Sequence, residues 1–226
     1  MTSWPQPRGP SGAIQIAGAV ACLAAAVSLQ VVRDRAYAIR EHAAERILYV
    51  RSGEAAKRLS LDFDALAADV YWIRAIQYYG RERLKPGGER RYDLLYPLLD
   101  LTTTLDPRFT VGYRFGAIFL AEPHPGGAGR PDEAISLLEK GIAANPAKWD
   151  YYHDVGFIYY WNLHDYRRAA EWFSRGGDLP GAPWWLKTYA AVMLTRGGDR
   201  QSSRAMWEQL GRSEENDWLR QTAQLR

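Results

Sequence analysis

The side chains with the clearest chemical use in this 226-residue chain are its histidines, its acids and a dense set of aromatic rings, with 9 Trp, 14 Tyr and 6 Phe. Histidine titrates near neutrality and is the commonest metal ligand. The four present, His42, His124, His153 and His164, lie too far apart to share one metal from a single helix face. His153 follows Asp150 by one helical turn, the spacing of a base and an orienting carboxylate, but also of an ordinary surface pair. His164-Asp165 reads as turn chemistry. No phosphate-cradling glycine motif, Gly-x-Ser-x-Gly elbow or His-Glu-x-x-His is present. Cys22 is the only cysteine, which excludes an internal disulfide framework and a cysteine-based zinc site. Gly126-Gly127 and Gly197-Gly198 read as loops and helix stops. The expectation is a chain that is not an enzyme and takes no metal or cofactor. A formal charge of +3, spread along the sequence, is too weak to point to nucleic acid. What remains is the rings, the residue type that anchors protein interfaces.

The elements that carry those rings are helical. From Trp149 to Pro183 the sequence reads as two helices joined by a tight turn. Tyr152, Val155-Gly156 and Tyr159 stripe the first helix, Asp165-Tyr166 marks the turn, and Ala169, Phe173 and Gly176 stripe the second, which ends at Leu179-Pro180-Gly181. The pattern recurs. Ala134, Ala169 and Ser203 lie 35 and 34 residues apart, as do Leu138, Phe173 and Trp207. A small residue once per unit lets neighbouring helices approach, and the large one four later fills the gap beside it.

The unit before this one has Tyr113, Phe115-Gly116 and Phe119 on its first helix and Ala134, Leu138, Gly141 and Pro146 on its second. Between them Glu122 to Pro131 is a long insertion. The unit after it runs from Pro183 to Gly211, with Trp184, Leu186, Ala190-Ala191 and Leu194 preceding Ser203, Trp207 and Leu210. A degenerate first unit spans residues 61–107. There a helix from Asp62 or Asp64 to Tyr79 is expected to bury Leu66, Val70, Ile73 and Tyr78, leaving Trp72 and Arg74 outside, with Asp64 as its cap. Gly80 to Arg91 reads as a flexible basic loop, and the next helix, Tyr92 to Leu105, regularises near Tyr96 because of Pro97. Residues 214–226, with Trp218 and Leu219, read as a polar-backed cap that ends the array.

The N-terminus begins with a polar tail, residues 1–12, followed by the charge-free stretch Ala13 to Val32, whose 20 residues match a bilayer crossing. An uncleaved anchor is the preferred reading, because the apolar run continues without a polar break. A signal peptide cleaved near Ala21 or Ala26 and a lipidated Cys22 are the alternatives. Residues 33–60 form a basic connector whose first half prolongs the membrane helix until Ser52-Gly53. It serves either as a collar on anionic headgroups or as a solvated stalk. Arg33, Arg35 and Arg40 against Arg8 argue for a cytoplasmic domain by the positive-inside rule, but long domains translocate regardless of nearby charge. The side is left open.

At Pro107 to Gly211 the sequence resembles tetratricopeptide repeat proteins, in which aromatic and Gly positions on one helix alternate with Ala and Phe on the next over about 34 residues. Asp62 to Pro107 is a weaker extra unit. With the N-terminal membrane helix and the Ala68 to Arg74 stretch, the whole is similar to membrane-anchored bacterial members of that family. The resemblance implies an all-α fold: an α-solenoid of helix-turn-helix repeats, residues 108–213, preceded by a single transmembrane helix. It also implies a scaffold whose concave face holds a partner's peptide or helix in an envelope, pilus or secretion assembly, and it leans the domain outside the cytoplasm. First helices then line the groove. The residues beside the core stripe are Tyr113 and Leu120 in the second unit, Asp150, His153, Phe157, Tyr160 and Trp161 in the third, and Trp185, Thr188 and Arg196 in the fourth. An aromatic groove suits an amphipathic helix or extended peptide. The alternatives are a permanent subunit of a larger membrane complex, and an accessory that binds glycan on its rings.

Overall fold

A computed structural model describes residues 12–47 and 53–212, and every regular element among them is helical. Residues 1–11 of the expected tail 1–12, residues 48–52 of the connector, and residues 213–226 with the expected cap lie outside the described residues. The chain divides into two units, Met1–Val50 and Arg51–Arg226.

The first unit holds helix α1 (Gly12–Ile47). Its segment Ile16–Arg33 has a mean hydropathy of 1.8 and no buried side chain, and it is long and apolar enough to cross a bilayer. Ser28 donates its hydroxyl to the Ala24 carbonyl at 2.8 Å, which satisfies the polar group inside the helix. The helix is 36 residues long, about 54 Å at 1.5 Å per residue, so it continues well past the apolar segment. That matches the expected prolongation.

The second unit contains α2 (Gly53–Ser60), α3 (Asp64–Leu84), α4 (Leu95–Leu105), α5 (Thr110–Ala121), α6 (Pro131–Ala144), α7 (Trp149–Trp161), α8 (Tyr166–Gly177), α9 (Trp185–Arg196) and α10 (Arg200–Arg212). From α3 onward each helix packs on the next in chain order, and α4 also meets α6 as α5 meets α7. Ala134, Ala169 and Ser203 are all buried, as are Leu138, Phe173 and Trp207 four residues on. The approach is close at Gly156, where an added Cβ would stand 2.6 Å from two Phe173 ring carbons. Asp165 caps α8 by accepting the Arg168 amide at 3.0 Å, and Pro131 opens α6 at its first turn. Pro97 sits in the first turn of α4, where its missing N–H costs nothing.

The first hairpin departs from expectation. On α3 it is Leu66, Val70 and Ile73 that face solvent, while Ala68, Ala75, Tyr78, Tyr79 and Glu82 are buried. Trp72 packs on Phe109 and Phe119 at 5.9 and 6.2 Å between ring centroids. Small residues let α3 lie close to α4, and the tyrosines reach distant acceptors with their hydroxyls. Tyr78 donates to the Arg91 carbonyl at 2.7 Å, and Tyr79 to Glu122 at 2.5 Å. Asp64 does not cap α3; Phe63 holds that position without a side-chain bond, and Asp64 takes the Ser60 hydroxyl instead. Nor is Gly80–Arg91 simply a loop. The helix runs on to Leu84, and buried Glu82 gathers the turn by accepting Lys85 Nζ at 2.6 Å and the Arg91 amide at 2.8 Å.

The insertion after α5 is likewise held. Tyr92 donates to the Pro125 and Gly126 carbonyls at 3.2 Å, and Arg90 to Pro125 at 2.8 Å. Gly127 is required by close approach, since a Cβ there would stand 2.4 Å from Glu122 Cβ.

Candidate functional site: an apolar cleft between α5 and α7

Helices α5 and α7 bury the same kinds of residue. Gly112, Tyr113, Gly116 and Ala117 turn inward on one, and Tyr151, Tyr152, Val155 and Gly156 on the other. Glycines on the inner face let the helices seat closely, and the period of 3.6 then turns bulky neighbours outward. Val111, Phe115 and Ile118 of α5 and Phe157 and Trp161 of α7 are exposed as a result.

Between the two helices lies a cleft of about 430 Å³, a volume in the range of small-molecule and side-chain pockets. Its walls are Ala117, Ile118 and Ala121 on one side and Phe157, Ile158 and Trp161 on the other. Phe157 and Trp161 stack nearly parallel, 6.2 Å between centroids and 10° between planes. Trp161 is 59% exposed, a large investment of apolar surface left in water.

Polar groups border this surface, and they are paired. Arg114 donates from Nε to Asp154 at 2.6 Å and from a second nitrogen at 3.1 Å, and it lies 3.3 Å from Asp150. The hydrogen bond that Arg114 donates to Asp154 holds the guanidinium pKa above its ordinary value, against desolvation. His153 Nδ1 stands 2.9 Å from Asp154, and its ring is 5.5 Å from Trp185. At the other end Asn162 Nδ2 donates to the Ala121 carbonyl at 2.7 Å, tying the ends of α5 and α7. Glu122 receives Tyr79 and, at 3.2 Å, Arg83, and burial raises the Tyr79 hydroxyl to about 12. The carboxylates facing the cleft are thus occupied, and its middle offers apolar contact.

Of the residues expected in the groove, His153, Phe157 and Trp161 line this cleft and Asp150 braces its rim through Arg114. Tyr160 and Arg196 meet each other beyond it, Arg196 donating to the Tyr160 hydroxyl at 3.3 Å. Trp185 is half-buried among Trp149, His153 and Tyr189. Three expectations are corrected. Tyr113 and Leu120 are each 0% exposed, and Thr188 is buried as well. Tyr113 turns inward because Gly141 opposite leaves it room and Tyr151 packs on it at 5.4 Å. Asp150 and His153 take separate partners: Asp150 goes to Arg114, and His153 to Asp154.

Arg114, Ile118 and Asp154 were not foreseen. A signal for them existed, since Arg114 and Asp154 each stand two residues before a buried helix glycine, Gly116 and Gly156. Aligning the helices on those glycines pairs the two charges. Among the described residues no three His, Cys, Asp or Glu side chains converge to hold a metal ion. No family model matches the chain, and no curated protein matches it. The chemistry of this site therefore rests on its own side chains.

Proposed function

We propose that the chain is a membrane-tethered scaffold, its second unit a stack of tetratricopeptide-like helical hairpins that holds an apolar helix or peptide of a partner protein along α3, α5 and α7. One observation carries this reading. From Asp64 to Arg212, every large apolar side chain left exposed within a described helix belongs to α3, α5, α7 or α9, and none to α4, α6, α8 or α10. Scattered exposed leucines need no explanation, but confinement to one set of helices marks a face kept free for contact. The cleft between α5 and α7 supplies the pocket for an anchoring side chain, and α1 supplies the tether.

The test is co-purification of the full chain in mild detergent. Phe157→Ala with Trp161→Ala is expected to lose the bound protein while keeping the wild-type unfolding temperature. A partner retained by that double variant would sink the reading. A companion present at fixed stoichiometry throughout purification would favour a permanent subunit instead.

A further inference from the structure

We propose that the corner joining α2 to α3 is a wedge that rests in the interfacial layer of the bilayer crossed by α1. This inference depends on α1 being a membrane anchor. Leu59, Leu61, Phe63 and Leu66 are all exposed, four large apolar side chains within eight residues, and Leu61 reaches 78%. That is a dense cluster on a turn, where soluble surfaces ordinarily carry polar groups.

Its exposure is built in. α2 packs on α4, Ala56 is buried, and at Gly53 an added Cβ would stand 2.4 Å from Thr104 Cγ2. The chain then reverses through two left-handed non-glycine residues, Leu61 (φ 48°) and Asp62 (φ 68°). Such conformations are uncommon for a leucine. The turn is closed by the Phe63 amide donating to the Ser60 carbonyl at 2.9 Å and by the Ser60–Asp64 contact. The corner therefore presents its apolar side chains from a braced support.

The occupant follows from the chain and its charge. The apolar segment of α1 ends at Arg33 and the corner begins at Leu59, so 25 residues of one chain, the first 14 of them the rest of α1, join the corner to the candidate span. A surface joined to a bilayer span by so short a stretch of chain meets the bilayer at high effective concentration. Exposed Lys57 and Arg58 on one side and Asp62 and Asp64 on the other nearly cancel, so the attraction is apolar rather than a response to anionic lipid. Exposed Asp69, one turn beyond Leu66 on the same face, marks where insertion must stop. The remaining stripe of α3 is thereby left to the partner face.

The experiment uses the full chain reconstituted in phosphatidylcholine vesicles, with Cys22→Ala as background and an environment-sensitive fluorophore on Leu61→Cys or Phe63→Cys. Glu208→Cys on α10 serves as the reference position. The expected result is a blue-shifted emission at 61 and 63 and its loss on adding lipids that carry a nitroxide, with no change at 208, and with the same outcome at high salt. Chain retained by the vesicles after an alkaline wash, with unquenched labels at 61 and 63, overturns the wedge alone. Chain released by that wash overturns the anchor and the wedge together. Shielding of the labels that depends on protein density, without lipid quenching, assigns the corner to a protein contact and also overturns the proposal.

Discussion

Helices α3, α5, α7 and α9 and helices α4, α6, α8 and α10 come from one alternating sequence, yet they use their apolar residues in opposite ways. The even set buries its large side chains: Leu95, Leu98 and Leu99 on α4, Leu137 and Leu138 on α6, Phe173 on α8, and Trp207 and Leu210 on α10. The odd set buries chiefly small residues and tyrosines, and it leaves Val70, Ile73, Phe115, Ile118, Phe157 and Trp161 in water. The difference shows that hydrophobicity alone does not choose a helix's inner face. Close approach does, because a Gly or Ala seat admits a neighbouring ring that a Leu would push away.

The comparison breaks if the two sets respond alike to truncation. Phe173→Ala is expected to destabilise the chain by about 3–5 kcal/mol, because the emptied space beside Gly156 cannot collapse. Phe157→Ala, of the same chemistry on an outward face, is expected to cost under about 1 kcal/mol. Denaturant unfolding of the full chain in detergent measures both, and equal losses would mean that the face of α7 is mis-assigned.

A second test sharpens the part played by the inward tyrosines. Burial raises the hydroxyls of Tyr79 and Tyr113 from 10.0 to about 12. A folded pKa above the unfolded one gives a contribution fully present below pH 10.0, which is lost as pH rises toward 12. Alkaline titration is therefore expected to remove stability over that window, at roughly 2 kcal/mol for each of the two groups. Tyrosinate absorbance should rise together with loss of helix. A rise that precedes unfolding would show these hydroxyls to be solvated.

The smallest effect concerns the brace across the cleft. Arg114→Ala is expected to cost about 1 kcal/mol at low salt and less as salt screens it, since the guanidinium is partly open to solvent. Thermal unfolding at two ionic strengths measures it. A larger, salt-independent loss would indicate that the arginine stem packs as core.

The even helices were legible because their signal is local. Ala134, Ala169 and Ser203, each with a large residue four later, need only the spacing along one helix to declare an inner face. α3 was not legible because two stripes fit its period. Leu66, Val70 and Ile73 lie on one, and Ala68, Ala75, Tyr79 and Glu82 on the other. The choice between them depends on partners elsewhere in sequence: Glu122, which takes the Tyr79 hydroxyl, and Arg91, which takes that of Tyr78. Half of the cleft was legible for a related reason. Phe157 and Trp161 announce themselves as rings beside a stripe. Ile118 is an ordinary apolar residue until α5 is aligned with α7, and Tyr113 and Leu120 fall inside once that alignment is made.

The bond from Asn162 to the Ala121 carbonyl clasps the two cleft helices at their C-terminal ends, as Arg114 does nearer the middle. On the proposed scaffold reading, a guest would meet a cleft already shaped before contact. Little of its affinity would then go to ordering the host, and the entropic penalty would fall almost wholly on whichever segment arrives.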